Sequence, residues 1–306
     1  GAPIGCVMVS PSHIYPGPVG VDVKCSMSLL QIDLQSQAID DRSLRRTIIN
    51  EICHRIPTGP GSGNRTVSKS RRVTKEMARR VLSEGASTEV CEAFGIPEEW
   101  ASRCEDSVHF GHDGSTDSLV RRLRWHCENG TFKNLDHKLQ QLGSYGGGNH
   151  FAECEQVRIV DTPHARRCAE VFGLCDDHIA FLSHCGSRGL GNILATSQFK
   201  KLAEHFSKWS IPLPGGDSKL VYAPLDTPEA NDYLDDMALA ANFATVNHLL
   251  INSLVLEAFR VAIPGLIGRL VYCISHNIAR REPFDDKMVW VHRKGATRAF
   301  PAGHPA

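Results

Sequence analysis

Four short segments of this chain share one pattern: a strand-like run that delivers a polar side chain just before a loop. They are DVKC (Asp22, Cys25), GGGNHF (Asn149, His150), SHCGSRG (His184, Arg188) and ISHN (His276, Asn277). Strand ends that present side chains before a turn are where sites are commonly built. If the four ends meet, they pool one carboxylate, one thiolate and three imidazoles. That donor set suits a transition metal of the Mn, Fe, Co or Zn group. Mg²⁺ and Ca²⁺ prefer cages made wholly of oxygen. Asp22 and Cys25 are three residues apart, so on a regular strand they would face opposite ways. A tight turn between them could instead aim both at one ion.

Two glycine-rich runs suggest phosphate. Gly146-Gly147-Gly148 precedes Asn149, and Gly186-Ser187-Arg188-Gly189-Leu190-Gly191 follows His184. Both could bare backbone N–H groups to an anion. Neither fits the GxxxxGK[ST] spacing of a P-loop, and the second reads GxxGxG rather than GxGxxG. Arg188, four residues after His184, could reach a phosphate held beside a metal. Three basic clusters stand out. Lys69-Ser70-Arg71-Arg72 and Arg121-Arg122-Leu123-Arg124-Trp125 are read as solvated helix faces. His292-Arg293-Lys294 with Arg298 is the better candidate for a phosphate.

The remaining pattern mixes strands and helices without a regular βαβ rhythm. Helices are expected over 40–56, in two or three pieces over 74–108 with a break at Pro97, over 192–208, and as one long helix or a pair over 233–259. Thr58 to Asn64 reads as a Gly-rich loop, and His276 and the segment after it as a loop. No linker or repeat divides the chain, so residues 1–306 are expected to form one α+β domain.

Lysine plus arginine number 34, and aspartate plus glutamate also number 34. This excludes a chain coated in positive charge, though not a local basic groove. Leu249 to Ile267 is interrupted by Asn252, Ser253, Glu257, Arg260 and Pro264, so no membrane span is expected there. The opening GAPIGCVMVS has no basic run or cleavage pattern, which gives an expectation of a cytoplasmic protein. The 11 cysteines include no CxxC pair. Most are expected to be small buried hydrophobes, with Cys25 in a special context.

Taken in order, PIG (3–5), GPVGVDVKC (17–25), GGGNHF (146–151), SHCGSRGLG (183–191), APLDTPEANDYLDDMALAANFA (223–244), SHN (275–277) and HRKGATRAF (292–300) resemble the RtcB family of RNA ligases. The resemblance implies an α+β domain of the RtcB type, with strands delivering metal ligands to a central cleft. It implies GTP and two Mn²⁺ ions as cofactors, in tRNA splicing or RNA repair. The implied partners are RNA ends carrying a 3′-phosphate or 2′,3′-cyclic phosphate, RNA ends carrying a 5′-hydroxyl, and a protein activator. By position, Cys25 would bridge the two ions, His150 would complete one, and Asp22, His184 and His276 would hold the other. Asn149 and Asn277 would contact nucleotide phosphates, and Arg188 an RNA or nucleotide phosphate.

The chain departs from the family pattern in two ways. Cys25-Ser26-Met27-Ser28 stands where the family has CGxR, which marks a divergent member. The family's PGSMG segment and the HGAGR motif with its guanylylated histidine are not in this chain, and only the end of PDVHxGxGxPIG is. The catalytic histidine is therefore expected C-terminal to residue 306; His292 and His304 are not its equivalents. Two other readings stay open: a metal-dependent phosphodiesterase or phosphatase acting on RNA ends, and a non-catalytic RNA-end binder.

Overall fold

A computed structural model of the chain describes residues 1–60, 74–301 and 303. Its strands, in chain order, are β1 (Cys6–Ser10), β2 (His13–Ile14), β3 (Ser26–Gln35), β4 (Phe151–Gln156), β5 (His178–Cys185), β6 (Ala223–Pro224), β7 (Gly268–Ser275), β8 (Asn277–Phe284) and β9 (Lys287–Lys294). They form a four-stranded antiparallel sheet in the order β4-β5-β3-β7, a three-stranded one in the order β1-β9-β8, and a β2-β6 pair. With helices packed among these sheets, the fold is α+β, as the sequence leads one to expect. The end of the Gly-rich run (61–64), the Lys69–Arg72 cluster and His304 lie outside the described residues.

Strand register brings the four polar segments together. Ser26, directly after Cys25, pairs with Cys185 on one side and Ser275 on the other. Those partners directly follow His184 and directly precede His276. Phe151, directly after His150, pairs with His184. Because side-chain direction on a strand has period two, a one-residue slip in any of these pairings would turn a donor away from its neighbours.

Behind this sheet runs a single helix, Pro228–Ala262. Its start is sequence-coded: the Thr227 side chain accepts from Ala230 N–H, and Pro228 occupies the first turn. From Tyr233 to Leu256 every residue is buried. A helix buried on every side belongs to the core. By length and composition it could cross a membrane, yet its apolar window lies wholly inside this fold. The helices Arg42–Arg55, Lys75–Glu84, Thr116–Glu128 and Arg188–Lys208 pack around it. Its leucines, among them Leu239, Leu249 and Leu250, are fully buried; each contributes about 1.5–3 kcal/mol of burial.

Several expectations are corrected. ISHN does not lead into a loop: β7 runs into β8 with only His276 between, and the chain crosses there from one sheet to the other. The GSRGLG run is not a bare loop either, because helix Arg188–Lys208 begins inside it. Its glycines serve packing. A Cβ on Gly191 would stand 1.9 Å from Ser187 Oγ. The 121–125 cluster is not a wholly solvated face: Arg122 is buried and forks onto Asp236 at 2.7 and 2.9 Å. Of the 11 cysteines only Cys25, Cys91, Cys185 and Cys273 are buried; Cys53, Cys127, Cys154 and Cys175 are exposed.

Candidate metal centre

The turn carrying Asp22 and Cys25 is forced by its backbone. Lys24 sits at φ 53°, a left-handed conformation that non-glycine residues rarely adopt, and Cys25 N–H donates to Asp22 C=O at 3.2 Å. The Lys24 ammonium holds the turn by donating to the Glu105 carbonyl at 2.7 Å, to the Asp106 carbonyl, and to His109 Nε2 at 2.6 Å. Burial lowers its pKa to about 8. Asn277 closes the other side: its amide N–H₂ donates to Asp22 C=O and its amide oxygen accepts from Gly295 N–H. Both ends of the Asn277 amide are thus spent on the protein. The turn therefore aims Asp22 and Cys25 the same way despite their three-residue spacing.

The donors converge in two groups of three. Cys25, His184 and His276 place one donor atom each within 4.8 Å of one another, and so do Asp22, Cys25 and His150. Cys25 Sγ is 3.1 Å from His184 Nε2 and 3.5 Å from His150 Nε2. His184 Nε2 lies 3.1 Å from His276 Nε2, and His150 Nε2 lies 2.8 Å from Asp22 Oδ2. Asp22 Oδ1 accepts from Ser187 N–H at 3.0 Å. Gly186 makes this approach possible, since a Cβ there would stand 2.4 Å from that oxygen.

The tautomers fit a cation. His150 Nδ1 is 2.8 Å from the Tyr145 carbonyl and His184 Nδ1 is 2.8 Å from the Asn149 carbonyl. A carbonyl only accepts, so both rings carry a proton at Nδ1 and, when neutral, present a lone pair at Nε2. Those lone pairs face a carboxylate, a sulfur and a third imidazole. Acceptor against acceptor at such distances calls for a proton or a cation between them.

The electrostatics agree. Burial pushes the Cys25 thiol up, so the thiolate needs a nearby positive charge. Burial is the largest influence on His150 and works against its charge, but the bond to Asp22 together with the Cys185 and Cys25 sulfurs raises the ring's pKa; at Asp22 burial is likewise the largest influence, and His150, Cys25 and Ser187 N–H together lower the carboxyl. Burial, with His184 beside it, lowers His276 to about 4, which keeps that ring a neutral donor at ordinary pH.

Arg188 stands at the rim. Its backbone is at φ 54° and its Nε donates to Ser144 Oγ at 3.3 Å. Its guanidinium lies so close over Gly146 that a Cβ there would be 1.4 Å from Nη1. Its Nη2 is buried without a protein partner. A strained backbone and an orphan donor beside a cluster of metal-type donors suit a phosphate oxygen. A cavity of about 390 Å³ opens beside His150 and is lined in part by Tyr145, Gly146 and Phe151.

A model of the family described as tRNA-splicing ligase RtcB matches residues 1–306. The chain belongs to the RtcB family. It is 34% identical over 316 residues to a tRNA-splicing ligase RtcB of Nanoarchaeum equitans, covering 99% of this chain and 60% of the relative. It is 31% identical over 303 residues to one of Aeropyrum pernix, covering 95% of this chain and 57% of the relative. An RNA-splicing ligase RtcB of Mycobacterium tuberculosis is 31% identical, with 99% of this chain and 67% of the relative covered. The chain thus spans about three fifths of the length of these archaeal relatives.

Set against the RtcB resemblance, the geometry brings all five expected donors together but groups them differently. Asp22 stands with His150 rather than with His184 and His276, because the turn and Ser187 aim its carboxylate that way. Asn149 uses its carbonyl to orient His184, while the residue itself is exposed. The His292 cluster is already partnered within the protein. His292 Nε2 accepts from Tyr15 N–H, Arg293 pairs with Glu282, and Arg298 pairs with Glu105. Sequence reading did not find the orienting groups Tyr145, Ser187 and Glu105. Glu105 accepts from Ser275 N–H at 3.0 Å, next to His276. Tyr145 and Ser187 act through backbone groups, which leave no residue-type signal, and Glu105 lies 170 residues from the Ser275 it meets.

Proposed function

We propose that this chain is the metal-holding part of a GTP- and Mn²⁺-dependent RNA ligase. The enzyme joins an RNA 3′-phosphate or 2′,3′-cyclic phosphate end to a 5′-hydroxyl end, in tRNA splicing or RNA repair. Cys25 would be offered to both ions; Asp22 and His150 would help hold one, and His184 and His276 the other. When bound, such a pair neutralises charge on phosphate oxygens during transfer. Arg188 offers its free Nη2 to the phosphate being joined. The cavity beside His150 is of a size to take a nucleoside. Asn149 is free to meet a nucleotide phosphate with its side chain; Asn277 supports the site through the turn. The protein works in the cytoplasm, with a protein activator as a further partner.

The observation that carries this reading is the meeting of five donor atoms from four distant segments, with tautomers fixed toward one another, in a chain of the RtcB family. The test uses the full protein carrying this chain, an RNA with a labelled 3′-phosphate and a second RNA with a 5′-hydroxyl. Joining should need both GTP and Mn²⁺ and should retain the label at the junction. If a cyclic phosphate is opened without GTP and nothing is joined, the ligase reading fails and a phosphodiesterase replaces it.

A further inference from the structure

We infer that His248, in the middle of the central helix, is a positioning residue that sets the spacing of the metal donors. This rests on reading those donors as a metal centre. His248 is fully buried, yet it is surrounded by hydroxyls. Its Nδ1 lies 2.8 Å from Ser26 Oγ; its Nε2 lies 2.9 Å from Ser28 Oγ and 3.1 Å from Ser183 Oγ.

Two of the three hydroxyls lead to a donor. Ser26 directly follows Cys25, and Ser183 directly precedes His184. Ser183 Oγ is 3.0 Å from the Tyr145 hydroxyl, and the Tyr145 carbonyl accepts from His150 Nδ1. The segments bearing Cys25, His184 and His150 are therefore tied to one imidazole from behind, away from the cleft.

A neutral ring has one acceptor nitrogen and one N–H, and one direction of donation suits both: Ser26 O–H donates to Nδ1, and Nε2–H is shared between Ser28 and Ser183. Ser183 O–H then donates to the Tyr145 hydroxyl, and Ser28 O–H to Asn252 Oδ1 at 3.4 Å. Fully satisfied buried networks fix geometry, and outer partners of metal ligands tune affinity.

This also accounts for the divergence after Cys25. The Ser26 and Ser28 that replace the family's Gly and Arg supply two of the three hydroxyls. Met27 between them points the other way and takes no part.

The test follows Co²⁺ binding to the protein by its thiolate-to-metal absorption band, which reports the Cys25 bond directly. His248→Leu keeps volume and removes both ring nitrogens; it should weaken Co²⁺ binding by roughly 10–100-fold. His248→Gln, which can still meet Ser28 and Ser183, should recover most of the loss. Gln198→Leu alters a different buried polar group of the core, one bonded to Asp236, and should leave the band and the affinity unchanged. If His248→Leu fails to fold, the Ser26→Ala, Ser183→Ala double variant should weaken binding in the same direction. Wild-type affinity in His248→Leu or in the double variant overturns the inference, as does an equal loss in Gln198→Leu. A wild-type protein with no cobalt–thiolate band would instead sink the metal-centre reading.

Discussion

Asp22 Oδ2 and His150 Nε2 meet at 2.8 Å although 128 residues separate them in the chain, and the ring's proton is already committed to the Tyr145 carbonyl. The pair is thus held either by a second proton on the ring or by a cation. Asp22→Asn removes the charge that raises His150. The variant should lose one of two metal ions, with affinity at that position falling by at least ~10-fold, the scale of losing even an outer partner. The Cys25, His184 and His276 position should persist. Calorimetric titration with Mn²⁺ checks this; two unaltered binding events would contradict it.

Gly146 should be as sensitive as a ligand, for a different reason. A methyl group there would overlap the Arg188 guanidinium, and Gly146 also sits at φ 82°. Gly146→Ala should displace Arg188 and weaken binding of RNA ending in a 3′-phosphate while metal content stays at the wild-type level. The check is fluorescence anisotropy with matched 3′-phosphate and 3′-hydroxyl RNAs. An unchanged preference for the phosphate would argue against Arg188 as its partner.

The buried cluster at the far side of the central helix is structural. Asp236 accepts a fork from Arg122 and a further bond from His126, and all three are buried. Asp236→Ala would take the forked partner from buried Arg122, leaving it only Asp232 at 2.9 Å, and would strand His126; breaking such a pair costs up to about 3–5 kcal/mol. Urea unfolding of the metal-free protein should show that loss. Wild-type stability in the variant would show that the cluster is dispensable.

Acid should destabilise the fold in a definite window. Burial lowers the His292 pKa from 6.5 to about 4. The unfolded chain therefore binds a proton there that the folded chain refuses. The stability it contributes is complete above about 6.5 and is lost as pH falls toward 4. The slope is at most about 1.4 kcal/mol per pH unit for one such group. His292→Gln should be less stable at pH 7 but should show a shallower decline from pH 6.5 to pH 4.5. Parallel melting-temperature curves for the two proteins would refute this assignment.

The ligand-bearing segments were legible because each sets a polar side chain beside a strand-like run, but only His184 lies near the end of its strand before a loop; Cys25 and His150 come just before their strands, and His276 joins two strands. The long helix was legible from its apolar run. Pairings across the chain were not. Val7 pairs with Arg293, and nothing in either segment names its partner. The continuation of the strand through His276 was hidden because SHN reads as a turn. Arg122 looked solvated because a cluster of arginines carries no mark of the buried aspartate that meets one of them. His248 had a faint signal: Asn247, His248 and Asn252 interrupt an apolar helix, and polar groups in such a place need partners. Without the register of β3 and β5, those partners could not be found.

The most direct test of the central claim is the number of Mn²⁺ ions held per chain, counted by native mass spectrometry for the wild type and for Cys25→Ala. The account predicts two ions in the wild type and their loss in Cys25→Ala, because both donor groups share that sulfur. A Cys25→Ala protein that still holds two ions would contradict it.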